Sequence, residues 1–436
     1  MDPIVIGLVS ILILLIFMAL GFHISVCMGL SGIIGFSMIV GFKPAMHLAV
    51  SQAFSVCSNY EFSVIPLFML MGLIIYSSGI ANTLYDAMQK LFGRFPGGLL
   101  LATIFASAVF GAANGSTIAA AVTFTKIGAP EMIKKKYSPK IACGAIAASG
   151  TLSILIPPST LMVIYAIITE QSIGKCLIAG VIPGIITMFM YVILVWGMAI
   201  WKPHLLPRGP VSTFKEKMLS LKSIWEIPVL VIFVLGGLYS GVFTATEAGA
   251  IGAFLALIVA IIAARKRNIY KMINESLNST MGGTIMIFVI LIGAFIFSSF
   301  LSVSRLPVAM TEVIGNSGLN KIYIVLLILL MLFVLGTFMS STAVMVITMP
   351  IVLPIITSLG YDPIWFSVIS IKMCEIGVLT PPVGLNVYAV KGAIGAQVPL
   401  EDIFKGVMPF LFVEAISVIL FVAFPSITLF LPNAMN

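Results

Sequence analysis

Chemistry in this chain is concentrated in two short polar stretches set in apolar surroundings. They are Asn114-Gly-Ser-Thr117, within GAANGSTIAAA, and Ser340-Ser-Thr342, within GTFMSST. Unpaired polar groups are costly in hydrocarbon, so these side chains need partners that lipid does not supply. Amide, hydroxyl and main-chain carbonyl oxygens together form a hard donor set, the kind a small cation prefers. Each stretch is followed by a Pro-Pro pair, Pro157-Pro158 and Pro381-Pro382. Proline removes a backbone donor and clashes with the preceding turn, so each pair must open its helix and free carbonyls, here around Gly150–Ile156 and Gly377–Thr380. Asn114, Ser116 and Thr117, with Gly150, Thr151 and neighbouring carbonyls, are therefore expected to form one Na⁺ site. Ser340, Ser341 and Thr342, with Glu375, Gly377 and Thr380, form its counterpart. Ser159, Thr160 and Asn386 lie just past the proline pairs and are candidates for the substrate, where half-helix N-termini favour an anionic group. A plainer alternative is that small residues merely let helices pack closely. It accounts for one such stretch better than for four breaks in matched positions.

The elements that carry these residues are membrane helices. Of 436 residues, 60% are hydrophobic and 9% charged, far from the roughly 25% charged of a soluble domain. Segments near the roughly 20 residues of a spanning helix recur throughout. They fall at Ile4–Leu20, Val26–Val40, Ile65–Tyr76, Ile141–Ile168, Leu177–Trp201, Ile227–Tyr239, Ala245–Ala264, Met281–Phe300, Trp365–Ala389 and Gly406–Leu431. Two further apolar regions, Gly98–Ile133 and Ile322–Leu359, hold the polar stretches. The first segment lacks a basic flank and a small-residue cleavage site, and reads as a retained helix rather than a signal peptide. The net charge of +8 sits in short loops between spans and reads as a topology signal, not a nucleic-acid footprint. Five scattered cysteines and three isolated histidines give no metal spacing, and no GxxxxGK[ST] loop is present. No clustered His, Asp or Ser–Lys constellation marks an enzyme.

The chain repeats itself. Gly111–Thr117 aligns with Gly336–Thr342 at an offset of 225 (336 − 111), and Tyr137-Ser-Pro139 aligns with Tyr361-Asp-Pro363 at 224. The proline pairs align at 224 (381 − 157), and Gln171–Pro183 with Gln397–Pro409 at 226. Four matches in one order divide the chain into repeat 1 (1–201), a polar connector (202–222) and repeat 2 (223–436). Lys90 and Arg94 precede the region 98–133, and Lys134, Lys135, Lys136 and Lys140 follow it. The positive-inside rule places both clusters in the cytoplasm, so 98–133 is read as a re-entrant hairpin with its tip near Asn114–Thr117. Carrying this forward puts the connector and Arg265-Lys-Arg267 inside, and the second hairpin, 322–359, enters from the opposite face. Each repeat then has five crossings, an odd number, so the second is inverted. The expectation is an all-α polytopic membrane protein of two inverted repeats, about ten spans and two opposed hairpins, with broken helices at 141–168 and 365–389 and both ends outside. Such inverted repeats with paired broken segments are the signature of secondary transporters.

The intramembrane carboxylates have plain and functional readings. Glu247 follows Thr244 at capping-box spacing. Glu375 lies three residues after Lys372, a spacing that permits an ion pair, yet its place beside the second break suits a coordinating or proton-coupling role. Glu414 has no evident partner. The segment Asn82–Phe95 is amphipathic and suits an interfacial arm leading into the first hairpin.

Five stretches carry a family resemblance: IPLFMLMGLIIYSSGIA, GAANGSTIAAA, SGTLSILIPPSTLMVIYAIITEQSIGKCLIAGVIPG, FTATEAGAIGA and EIGVLTPPVGLNVYAVKG. Spread over nearly the full length, they make the chain resemble the large membrane subunit of tripartite ATP-independent periplasmic (TRAP) transporters. The resemblance implies an elevator-type Na⁺-coupled importer in the bacterial inner membrane. It implies a small membrane subunit, here as a separate chain, and a periplasmic binding protein that delivers a carboxylated solute. SILIPPSTLMVIYAIITEQSIGKCLIAG is most similar to the sialic-acid branch. Where many members have SGSS at the first tip, this chain has NGST, so the first site here is expected to carry the amide of Asn114. The remaining alternative is a stand-alone Na⁺ or H⁺ anion symporter that works without a binding protein.

Overall fold

A computed structural model describes residues 2–263, 269–316 and 318–435, and these are helical almost throughout. In the first half run α1 (Pro3–Ala19), α2 (Ile24–Val40), α3 (Phe42–Ser58), α4 (Val64–Ser78), α5 (Ile80–Phe92), α6 (Gly98–Asn114) and α7 (Thr117–Lys134). They are followed by α8 (Pro139–Gly150), α9 (Leu152–Leu155), α10 (Thr160–Ile168), α11 (Ile173–Ala179) and α12 (Val181–Trp201). After α13 (Phe214–Lys222), in the connector, the second half holds α14 (Glu226–Tyr239), α15 (Ala245–Ala263), α16 (Ile269–Ser304), α17 (Leu306–Asn316), α18 (Lys321–Phe338) and α19 (Ser341–Ser358). It closes with α20 (Pro363–Leu379), α21 (Leu385–Ile394), α22 (Leu400–Ala423) and α23 (Ser426–Asn433).

Among the described residues the ten expected spans fall on helices, six on a single one and four across a break: 141–168 over α8 to α10, 177–201 over α11 and α12, 365–389 over α20 and α21, and 406–431 over α22 and α23. Among the described residues, seven helices are long and apolar enough to cross a bilayer, or nine with each bent pair taken as one span. The pair Pro139–Leu155 and Thr160–Ile168 bends by 47° at its Pro-Pro break, and both Pro-Pro peptides are cis. The basic run Arg265-Lys-Arg267, used above as a topology signal, lies outside the described residues.

The element order runs twice. Hairpin α6–α7 precedes broken helix α8–α9–α10, as hairpin α18–α19 precedes α20–α21. The halves interlock by exchange: α21 packs on α7 of the first hairpin, and α10 packs on α19 of the second. Tyr165 on α10 donates its hydroxyl hydrogen bond to the carbonyl of Pro363 at the head of α20, at 2.7 Å. Helix α22 lies along α8, close enough that a Cβ at Gly144 would strike the backbone of Gly406. Glycines allow that approach where lipid gives no hydrophobic drive for association. The other helices form a frame in which α16 crosses α2, again through glycines: a Cβ at Gly32 would stand 3.0 Å from Phe297.

Three details depart from the sequence expectation. Phe42–Ser58, assigned no element, is helix α3; Lys43, His47 and Gln52 dilute its apolar residues, so it carries no spanning signal. The span at Met281–Phe300 is the end of one 36-residue helix, α16, about 54 Å long at 1.5 Å per residue. Its first third, with Asn274, Glu275 and Asn278, is too polar to score as membrane yet remains helical. The broken backbone also lies later than expected. Gly150–Leu155 keeps helical turns apart from a step at Thr151, and the non-helical segments are Ile156–Ser159 and Thr380–Gly384, at and after the prolines.

Candidate functional site

The tips of the two hairpins meet. Each hairpin turns back after about 17 residues of helix, and the loops between arms hold the polar stretches. At the first tip Gly115 caps α6 with φ +62°, and a Cβ there would press on the carbonyl of Pro158 in the neighbouring break. Ser116 then caps α7, its hydroxyl accepting from the amide of Ala119 at 3.4 Å. At the second tip Ser340 caps α19 in the same way, accepting from Ala343 at 3.4 Å. Ser159 caps α10 past the first break, accepting from Met162 at 3.2 Å. These caps explain the residue types locally: short hydroxyl side chains satisfy orphan amides that lipid cannot reach.

A cavity of about 240 Å³ is lined by Ser116 and Thr117 from one tip, by Ser340, Ser341 and Thr342 from the other, and by Thr160 and Glu375. Residues from both halves therefore share one chamber. Within it Ser341 donates to Glu375 Oε1 at 2.6 Å, while Glu375 Oε2 has no protein partner. The helices α7, α10, α19 and α21 all begin around this chamber, so partial positive charge converges on it.

The other expected site residues lie beside the chamber rather than in its lining. Gly150 packs against hairpin 1, where an added Cβ would lie 2.9 Å from the carbonyl of Thr117. Thr151 donates to the carbonyl of Ala148 at 2.7 Å and Thr380 to that of Ile376 at 2.7 Å, so both hydroxyl protons are used within their helices while an oxygen lone pair stays available. Gly377 meets Gly336 of α18 backbone to backbone, which makes it a close-packing position. Asn386 is fully buried with neither side-chain polar atom paired, and Asn114 Nδ2 is likewise unpartnered. Buried amides without a protein partner are rare, and these two have hydrogen-bonding capacity free for a ligand or water.

The pairing offered for Glu375 is corrected. Lys372 forms its ion pair with Glu414 on α22, at 2.5 Å, and not with Glu375. Its ammonium also donates to Thr187 on α12 at 2.9 Å, and Tyr191 donates to the other oxygen of Glu414. Spacing along α20 favoured the local partner, but Ser341 had already engaged Glu375. A lysine in the apolar run of Trp365–Leu379 was the signal for this network, since intramembrane charges rarely lack a partner. Glu247 is a capping residue, bonded to the amide of Thr244 at 2.9 Å. The cavity lining also includes Met69, an apolar contributor from α4 that no sequence motif marked. A larger cavity of about 640 Å³, lined by Gln52, Asn59, Glu61, Glu170 and Gln171, holds none of the expected ligands.

Solved structures share this architecture. The chain is similar to the YdaH transporter of Alcanivorax borkumensis, with TM-score 0.64, 13% identity and coverage of 88% of this chain and 89% of that one. MtrF of Neisseria gonorrhoeae superposes with TM-score 0.60 and 15% identity over 97% and 95%. Sequence relatives are much nearer. A C4-dicarboxylate TRAP transporter large permease protein of Pseudomonas aeruginosa is 33% identical, over 93% of each chain. A sialic acid TRAP transporter large permease protein of Vibrio cholerae is 30% identical over 91% of this chain and 92% of that one. The family model for the DctM component of tripartite ATP-independent periplasmic transporters matches residues 11–427. The chain therefore belongs to that family, whose members are multi-pass inner-membrane transport proteins and not enzymes.

Proposed function

We propose that this chain is the large permease subunit of a Na⁺-coupled importer of a carboxylated solute. The observation that carries the reading is the shared chamber, where hydroxyls from two opposed tips meet a buried carboxylate with one unpaired oxygen. Hydroxyl, carboxylate and carbonyl oxygens suit Na⁺. One ion is assigned to Asn114, Ser116, Thr117, Gly150 and Thr151, the other to Ser340, Ser341, Thr342, Glu375, Gly377 and Thr380. The converging helix N-termini suit the solute's carboxylate, with Ser159, Thr160 and Asn386 as its contacts.

In this reading the division is 1–201, 202–222 and 223–436, with both hairpins and both broken helices moving as one body against the frame. The interlocking of α10 with α19 and of α21 with α7 supports a common moving body. A small membrane subunit and a periplasmic binding protein complete the importer, as the names of the relatives suggest. Among those relatives, C4-dicarboxylate permeases at 33%, 31% and 28% identity bracket the sialic acid permease at 30%. The solute class is therefore an organic acid, with sialic acid and C4-dicarboxylates as the first candidates.

Uptake of a carboxylate panel into proteoliposomes, with and without Na⁺ and the binding protein, tests the proposal. Uptake that needs both supports it. Uptake indifferent to Na⁺ but driven by acid outside replaces the coupling ion with a proton. Uptake that proceeds equally without the binding protein makes the chain a stand-alone symporter.

A further inference from the structure

The connector between the halves does more than join them. Its first part is strapped across the feet of hairpin 1. The carbonyl of Leu206 accepts from the amide of Gly97, just before α6, at 3.2 Å, and that of Leu205 accepts from Ser138, just past α7, at 3.0 Å. Leu206 is buried, Arg208 bridges to Pro96 through the backbone, and a Cβ at Gly93 would strike the carbonyl of Pro210. Its second part is α13, which packs on α5 and shows three faces. Toward the protein lie Ser220 and, in the turn that follows, Ile224, both buried, with Lys217 half-buried beside them. The next face carries Phe214, Met218 and Leu221 at helical spacing, continued by Trp225 in the turn, and all four are exposed. Lys215 and Lys222 border that stripe on its far side and are exposed as well. The connector holds five cations, Lys202, Arg208, Lys215, Lys217 and Lys222, against the single carboxylate of Glu216. Among the described residues none of the five forms an ion pair.

We infer that the connector is a membrane-surface anchor, with the apolar stripe of α13 at the acyl boundary and its cations on the phosphates of anionic phospholipids. An exposed apolar stripe bordered by lysines is the pattern of a helix lying in the headgroup layer. Its neighbours hold it there. The chain leaves the bilayer at the end of α12, where Trp201 is 88% exposed, and returns through α14. Helix α14 has 14 residues, about 21 Å at 1.5 Å per residue, short of a core of roughly 30 Å. The boundary of the bilayer therefore falls on the turn and on α13, which bends 51° away from α14. The excess positive charge selects anionic over neutral headgroups. Through Leu205 and Leu206 the same hold reaches both feet of hairpin 1. None of this depends on the coupling ion.

The test is hydrogen–deuterium exchange at constant pH on the purified full-length protein in two kinds of nanodisc. One is phosphatidylcholine alone, and the other is phosphatidylcholine and phosphatidylglycerol in equal parts. Amides of α13 are expected to exchange about tenfold more slowly in the anionic bilayer, and high salt should erase the difference. The amides of Gly97 and Ser138, which donate to the strap, should slow with them. The double variant Lys215→Gln/Lys222→Gln removes two cations, each worth about fivefold beside an anionic surface. It should abolish most of the lipid dependence while exchange in the spanning helices stays as it was. Phe214→Ser/Leu221→Ser should speed exchange of α13 in both bilayers. Equal exchange of α13 in the two bilayers, or a difference that survives both high salt and the lysine variant, overturns the inference. The salt comparison needs no variant, so it decides even if the altered chains fail to insert. Protection that ignores the lipid and appears only when the small membrane subunit is added makes the stripe a protein interface, which also overturns it.

Discussion

Ser341 and Glu375, thirty-four residues apart, join the tip of the second hairpin to the helix beside the second break through one hydrogen bond of 2.6 Å. The bond consumes the hydroxyl proton and one carboxylate oxygen, and leaves a carboxylate oxygen and a serine lone pair facing outward from the pair. Replacing Ser341 with Ala, or Ser116 with Ala at the first tip, removes one oxygen from each proposed ion site. Each variant should insert normally and raise the Na⁺ concentration for half-maximal uptake about tenfold, the equivalent of one lost charge-assisted contact. Unchanged Na⁺ dependence of proteoliposome uptake in both would sink the ligand assignment.

Gly115 tests the geometry of the first tip rather than its donors. Its φ of +62° disfavours any side chain, and an added Cβ would push on the carbonyl of Pro158. Gly115→Ala should cost about 1–2 kcal/mol locally and lower the rate of uptake far more than the yield of membrane-inserted protein. Uptake equal to that of the unaltered chain would show that the tip does not need this turn.

Gly144 and Gly406 are a pure packing contact on the interface of α8 and α22. Gly144→Val should destabilise the protein by about 1–3 kcal/mol through overpacking. Thermal unfolding in nanodiscs reads this directly, and the shift should be independent of Na⁺. A shift that disappears at saturating Na⁺ would instead place the contact within the ion-binding equilibrium.

The connector carries its own pH dependence. Thr213 and Glu216 form a reciprocal cap at the start of α13, with the carboxylate accepting from the Thr213 amide at 2.7 Å. These hydrogen bonds hold the Glu216 carboxyl below its ordinary value. A depressed carboxyl contributes stability above its unfolded value and loses it as pH falls through the folded one. Amide exchange in α13 should therefore accelerate on acidification into that range, Glu216→Gln should abolish the pH response, and Thr213→Ala, which keeps the amide donor but loses the hydroxyl, should only reduce it.

The motifs most legible in the sequence were those that break a rule of their surroundings. Polar tips in apolar helices and doubled prolines announced themselves, and their repetition at nearly constant offset located both hairpins. Elements that obey no membrane pattern were missed. Helix α3 mixes Lys43, His47 and Gln52 with its apolar residues, and the polar start of α16 hides a helix that simply continues. The partner of Lys372 was also illegible, because Glu414 stands forty-two residues away (414 − 372) on a helix whose rotation periodicity does not fix. Local spacing pointed to Glu375, and only the tertiary arrangement shows Ser341 already there. Gly377 also has a role that its place before a break did not mark: its missing side chain admits the backbone of Gly336.

The two halves differ most where α16 runs unbroken for 36 residues while its counterpart is divided into α3 and α4 by the short turn Tyr60–Ser63. One half of the frame is thus a stiff mast and the other a jointed limb. A load from the hairpins is shared unequally between them, because bending concentrates at the joint near Asn59. Any rocking or lifting of the hairpins would then meet a frame of unequal compliance in its two halves, although their elements follow the same order.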